Sequence, residues 1–172
     1  MASSSISSRA LLVAPPAHDL LLSSHKYDIL LAAAARPGTG AEARWPLYDG
    51  IAEIVGKLGK EAFLPHRDAD IRKIREKELG ELMQRIIAKK VDLVLYYAGI
   101  GSLAARIALI TACDREIPIT FFYEHHNHGL YDATVRNLEL PERTEQIVFE
   151  TEAEALAIME DSLRRFYQGA VH

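Results

Sequence analysis

The sequence predicts an α/β domain with an open, doubly wound, five-stranded parallel sheet and helices on both faces. Three observations predict it. Near-continuous apolar runs such as YDILLAAAA (27–35) and VDLVLYYA (91–98) suit strands buried on both faces. Segments with three- and four-residue apolar periodicity separate these runs. The two kinds alternate along the chain, which is the signature of βαβ units.

The elements follow in order. Tyr27–Ala35 is the first strand, and Arg36–Gly40 (RPGTG) breaks it with a proline and two glycines. A helix follows with Tyr48, Ile51, Ile54, Val55 and Leu58 on one face and Gly59 as its stop. Glu61–Pro65 is a short strand. Asp70–Lys90 reads as a helix carrying Ile71, Ile74, Leu79, Leu82, Met83, Ile86 and Ile87, with Gly80 as a point of division. Val91–Ala98 is the clearest strand, Ser102–Arg115 a helix rich in small residues, and Pro118–Tyr123 the next strand. Glu145–Glu150 adds a fifth strand, and a closing helix aligns Leu156, Met159, Leu163 and Phe166. This is a Rossmann- or flavodoxin-like plan.

The 172 residues suit one domain with a substantial core, and no internal repeat divides them. That domain covers 27–172. Residues 1–26 form an extension with seven serines and a single acid, Asp19, which reads as a flexible tail or a targeting leader. The expected compartment is the cytoplasm, or an organelle if the extension is a transit peptide. Twenty basic against 24 acidic residues give a net charge of −4, so there is no electrostatic case for nucleic acid or an anionic membrane as partner. No apolar run reaches the roughly 18 residues needed to span a bilayer. The lone cysteine, Cys113, cannot form an internal disulfide and reads as a small buried side chain.

Ligands of open α/β sheets sit outside the carboxyl ends of the strands, at the point where strand order reverses. That rule selects Arg36–Gly40, Pro65–Asp68, Ala98–Ser102 and Glu124–His128. The first joins strand to helix through glycines that free backbone N–H groups for an anion, or it is simply a turn.

Taken in order, these loops resemble the nucleoside 2-deoxyribosyltransferase superfamily, above all its 2'-deoxynucleoside 5'-monophosphate N-hydrolase branch. Ala34, Ala35, Arg36, Pro37 and Gly38 stand where that branch has a Ser-Ile-Arg-Gly-Gly type loop. Leu47–Tyr48 match a Leu-Tyr pair in its first helix, His66 a histidine after its second strand, and Val91–Leu95 its third strand. Ser102 to Ala112 match its Ser-Leu-Gly-Val-Gly-Tyr-Glu-Leu-Gly-Arg-Ala motif, and the last helix likewise ends in Arg-Phe-Tyr. The likeness runs from residue 27 to about 168.

The resemblance implies a phosphate side of the pocket at Arg36, Gly38 and Ser102, with His66 beside it. Arginine offers phosphate a planar fork, and a serine opening a helix adds a hydroxyl beside free N–H groups. Arg106, one turn further, either adds positive charge or is a solvated or interface residue. The family's bond-breaking groups are missing: its catalytic glutamate falls at Ala108, an aspartate at Gln84 and a first-strand tyrosine at Leu30. The implied function is therefore binding of a nucleotide or phosphosugar, with little or no N-glycosidase activity and no cofactor. One alternative is an active N-glycosidase or deoxyribosyltransferase with a relocated carboxylate such as Glu124. Another is a structural or interaction subunit with a vestigial pocket.

Glu124-His125-His126-Asn127-His128 concentrates further chemistry, but HHxH on a loop is not a strong zinc pattern, and no metal is expected. Family members complete each other's pockets near this loop, which implies a homodimer. The helix from Ser102 is apolar nearly all round its first three turns and calls for a cover on its second side. Either a second copy or another helix of the same chain supplies it.

Overall fold

The structure, a computed structural model, describes residues 25–169. Five strands form one parallel sheet in the order β2-β1-β3-β4-β5. They are β1 (Ile29–Ala32), β2 (Ala62–Phe63), β3 (Leu93–Tyr97), β4 (Ile119–Glu124) and β5 (Thr144–Phe149). Six α-helices connect and flank them: α1 (Trp45–Lys57), α2 (Pro65–Asp68), α3 (Glu76–Ala88), α4 (Leu103–Asp114), α5 (His128–Val135) and α6 (Glu152–Gly169). Strand order reverses between β1 and β3, so the switch point lies between the loops that leave their carboxyl ends.

The period-2 alternation of side chains divides the interior into two layers. Leu30, Val94, Tyr96, Ile119 and Phe121 face α3, α4 and α5. Ile29, Leu31, Leu95, Tyr97, Phe122 and Phe149 face α1 and α6. Register keeps the sets apart, since Leu30 pairs with Phe63 on one side and Val94 on the other. Helices thus cover both faces, as the continuous apolar runs predict.

Several boundaries differ from the sequence reading. The helix expected over 70–90 begins only at Glu76. Lys73 and Ile74 donate to Asp70 O in an isolated turn, and Arg75 is extended (φ −79°, ψ 157°) with its N–H held by the Glu78 carboxylate at 3.1 Å. Ile71 is nonetheless buried, so its helical spacing reflects a buried turn. Gly80 does not divide the helix. A Cβ there would lie 2.5 Å from Ile107 Cδ1, so glycine lets α3 lie close against α4. Pro65 shortens the second strand by starting α2, because it has no N–H for the ladder. The histidine loop is not a plain loop, since it turns through a 3₁₀ segment (His125–Asn127) directly into α5. Residues 1–24 of the N-terminal extension lie outside the described residues.

Candidate functional site

All five strands are parallel, so Arg36, His66, Ser102 and Glu124–His128 all follow strand carboxyl ends and share one edge of the sheet. They do not share one cleft. At the switch point a cleft of about 200 Å³ is lined by Ala34, Ala35, Arg36, Thr39, Glu76, Gly101, Ser102 and Leu103. It thus unites Arg36 with Ser102, two of the four residues expected on the phosphate side, while Gly38 and His66 do not line it.

Ser102 caps α4 from an extended conformation (φ −149°, ψ 128°), and its Oγ accepts from Ala105 N–H at 3.2 Å. Glu76, at the first position of α3, reaches the same helix end. Ala104 N–H donates to its Oε2 at 3.0 Å and Ser102 Oγ donates to that oxygen at 3.3 Å. Its Oε1 lies 3.1 Å from Arg36 Nε, a charge contact without hydrogen-bond alignment, since that buried nitrogen has no hydrogen-bond partner. The Arg36 guanidinium also donates through Nη2 to Ile74 O. A carboxylate of the chain itself therefore sits among an arginine, a hydroxyl and the positive end of a helix.

The remaining loop groups are turned to local tasks. Gly38 adopts φ +83°, which favours glycine, and its N–H donates to Glu42 Oε1 at 2.7 Å. Thr39 Oγ1 donates to Arg36 O at 2.6 Å. Trp45 Nε1 and Tyr48 OH donate to Ala35 O and Ala34 O at 3.3 and 3.2 Å, fixing the end of β1.

His66 sits apart. Its side chain is only 7% exposed, its Nε2 lies 2.8 Å from Asp49 Oδ1, and its ring stacks on Trp45. It borders a separate shallow cleft with Asp49, Ala52, Glu53 and Arg67. Arg106 is exposed on α4 and does not line the switch-point cleft.

Glu124 ends β4 with 3% exposure and is fully engaged. Tyr97 OH lies 2.5 and 2.7 Å from its two oxygens, Arg44 Nη2 is 2.6 Å from Oε1, and Asn127 Nδ2 donates to Oε2 at 2.8 Å. Arg44 also reaches Glu152, at the start of α6, at 3.3 Å. Burial alone would raise the Glu124 pKa. The Tyr97 hydroxyl, a backbone N–H, the Asn127 amide and the Arg44 charge together outweigh it and hold this carboxyl below the ordinary carboxylate range. These contacts join Arg44, Tyr97 and Asn127 to one covered carboxylate.

The positions that resemble the family's catalytic groups do not line the cleft. Ala108 and Leu30 are wholly buried in the core. Gln84 is exposed and eight residues along α3 from Glu76, about 12 Å at 1.5 Å per residue. His125, His126 and His128 are exposed, and His128 Nδ1 contacts Tyr123 OH at 3.0 Å. Among the described residues, no group of three or more His, Cys, Asp or Glu is placed to hold a metal ion. Among them too, no helix is long and apolar enough to cross a membrane.

No protein-family model matches the chain, and no curated protein matches its sequence significantly. What the geometry defines is a Rossmann-like, five-stranded parallel α/β domain whose switch-point cleft brings Arg36, Glu76 and Ser102 together.

Proposed function

We propose that this chain is a nucleoside 2-deoxyribosyltransferase-like protein that binds a nucleotide or sugar phosphate through Arg36 and the Ser102 end of α4, with little or no N-glycosidase activity. The observation that carries this reading is the Glu76 carboxylate held by Arg36, Ser102 Oγ and Ala104 N–H. Donors that receive a carboxylate also receive a phosphoryl group, and a helix N-terminus flanked by arginine favours either. Absence of catalysis rests on Ala108, Leu30 and Gln84, none of which brings a carboxylate or hydroxyl to the cleft.

The test is calorimetry with inorganic phosphate, ribose 5-phosphate and deoxyadenosine monophosphate. Arg36→Ala is expected to weaken binding by about 1.5–3 kcal/mol, roughly 10- to 150-fold. Equal affinity in the wild type and the variant would move the site elsewhere.

We further propose a homodimer. Within the chain α3 covers one side of α4, through Gly80 and Ile107. Leu103 and Ile110, seven residues apart on another face of α4, remain 55% and 40% exposed, and Leu130 on α5 is 39% exposed. This apolar face supports a second copy as its cover. The net charge of −4 gives no electrostatic case for a nucleic-acid partner, and the single cysteine none for an internal disulfide; the compartment we propose is the cytoplasm. The alternative compartment is an organelle, should residues 1–26 act as a leader.

A further inference from the structure

The cleft already contains an anion, and that anion belongs to the protein. We propose that Glu76 is an internal competitor for the ligand. Its carboxylate takes the place of the ligand's anionic group, and a phosphate ester binds as the Ile74–Glu76 segment lets go of Arg36. This inference rests on the phosphate-binding reading of the cleft and adds how access to it is controlled.

Three observations carry it. First, Glu76 engages both sides of the cleft at once, since Oε1 faces Arg36 and Oε2 takes the free N–H of Ala104 and the Ser102 hydroxyl. These are the groups a phosphoryl oxygen would use, so ligand and Glu76 exclude each other. Second, the fit is imperfect. Arg36 Nε is buried and lies 3.1 Å from Glu76 Oε1, yet is not aligned for a hydrogen bond with it. An incoming group with three oxygens and nearly two negative charges has more ways to satisfy the fork than a carboxylate does. Third, the space is short. With Glu76 in place the cleft measures about 200 Å³, below the roughly 300–1,000 Å³ usual for a small-molecule site. Moving Glu76 aside enlarges the cleft and frees the donors in one step.

The segment that must move suits the task. Ile74 and Glu76 bracket the start of α3, and Arg36 holds both, through the Ile74 carbonyl and the Glu76 carboxylate. Residues 69–75, which lead into α3, are turns and extended backbone, not helix. Rotating the Glu76 side chain out leaves the α3 ladder intact, because Glu78 caps the helix on Arg75 N–H and Leu79 N–H donates to Arg75 O, and neither contact uses the Glu76 carboxylate. The Gly80–Ile107 contact lies one turn further in and keeps the helix body packed.

The apparent affinity of a site open only part of the time is its intrinsic affinity reduced by the open fraction. If Glu76 occupies the cleft about nine-tenths of the time, removing it tightens binding about tenfold. The experiment is isothermal calorimetry on the full chain with inorganic phosphate and with deoxyadenosine monophosphate, comparing wild type, Glu76→Ala, Glu76→Gln and Arg36→Ala. Glu76→Gln preserves the side chain's size and one acceptor for Ala104 N–H, so it keeps the test valid should the alanine variant fold poorly. Expected is binding at least about tenfold tighter in Glu76→Ala, tightening in the same direction in Glu76→Gln, and loss in Arg36→Ala. Unchanged or weaker binding in both Glu76 variants, with Arg36→Ala still defective, overturns the competitor alone. No binding in any variant, with the Glu76 variants shown folded by circular dichroism, overturns the phosphate site and this proposal with it.

Discussion

The Arg44 guanidinium and the Glu124 carboxylate meet at 2.6 Å beneath the carboxyl edge of the sheet, the acid almost wholly buried and the base less than a third exposed. One contact thereby ties the connection between β1 and α1 to the end of β4, and through Glu152 to the start of α6. Removing one partner of a buried pair leaves the other charge desolvated, which costs more than the pair contributes when intact. Glu124→Ala is therefore expected to lower unfolding free energy by about 3 kcal/mol in urea titrations at neutral pH. A loss under about 1 kcal/mol would show the pair to be surface-like.

The same residue sets a pH dependence. Its carboxyl titrates lower in the folded chain than in the unfolded one. The unfolded chain thus takes up a proton first on acidification, and stability falls. Glu124's contribution is complete above the ordinary carboxylate value, about 4.3, and is lost as pH drops through its lower native value. Urea midpoints of wild type and Glu124→Gln should converge as the pH falls below about 4.3. A gap that stays constant below that value argues against an ionised native Glu124.

Gly99 is expected to resist substitution. A Cβ at that position would lie 2.1 Å from Tyr97 OH and 2.2 Å from its Cζ, and a ring cannot bend away as a flexible chain end can. Gly99→Ala should cost about 1–3 kcal/mol or more and displace the hydroxyl from Glu124. Thermal denaturation measures the cost. A stability equal to wild type would mean that the β3 loop, rather than the ring, gives way.

Placing a glutamate at Ala108, where the resemblance aligns a catalytic one, is not expected to confer N-glycosidase chemistry. Ala108 has no exposed surface and packs in the layer between the sheet and α4. A carboxylate placed there is buried without a partner and lies out of the cleft, so Ala108→Glu is expected to destabilise the fold by several kcal/mol and to release no base. Chromatography of deoxynucleoside monophosphate incubations checks this for the variant and the wild type alike. Turnover of about one per second in the wild type would refute the non-catalytic reading.

If a second copy covers α4, charge on that face breaks the assembly. Leu103→Asp combined with Ile110→Asp should convert a particle of about twice 19.2 kDa into one of 19.2 kDa by light scattering. Both positions are exposed within one chain, so the substitutions should leave the fold intact. A wild-type mass of 19.2 kDa at micromolar concentration would remove the dimer.

The strands, and the edge their loops share, were legible because strands covered on both faces are written as unbroken apolar runs and loops that follow parallel strands lie at one edge. Arg36 and Ser102 could be placed at one edge on that ground and paired through the resemblance. Glu76, Arg44 and Tyr97 could not. Each is an ordinary residue by type, and its partner lies far along the chain, so no local spacing marks it. The helix that leaves the histidine segment was missed for a different reason. Its eight residues bury only Tyr131 and Thr134, too few to imprint a period on the sequence. Ile71 misled in the opposite direction, since a buried turn borrows the spacing of a helix.

The chain has one tryptophan, and it is Trp45. Its indole N–H is bonded to the carbonyl of Ala35, the residue before Arg36, and its ring lies flat against His66. Indole emission from this protein, excited selectively over its tyrosines, therefore originates beside the first loop of the sheet, with no second indole to dilute it. A change of that loop on ligand entry is readable in the native chain by intrinsic fluorescence, without a label.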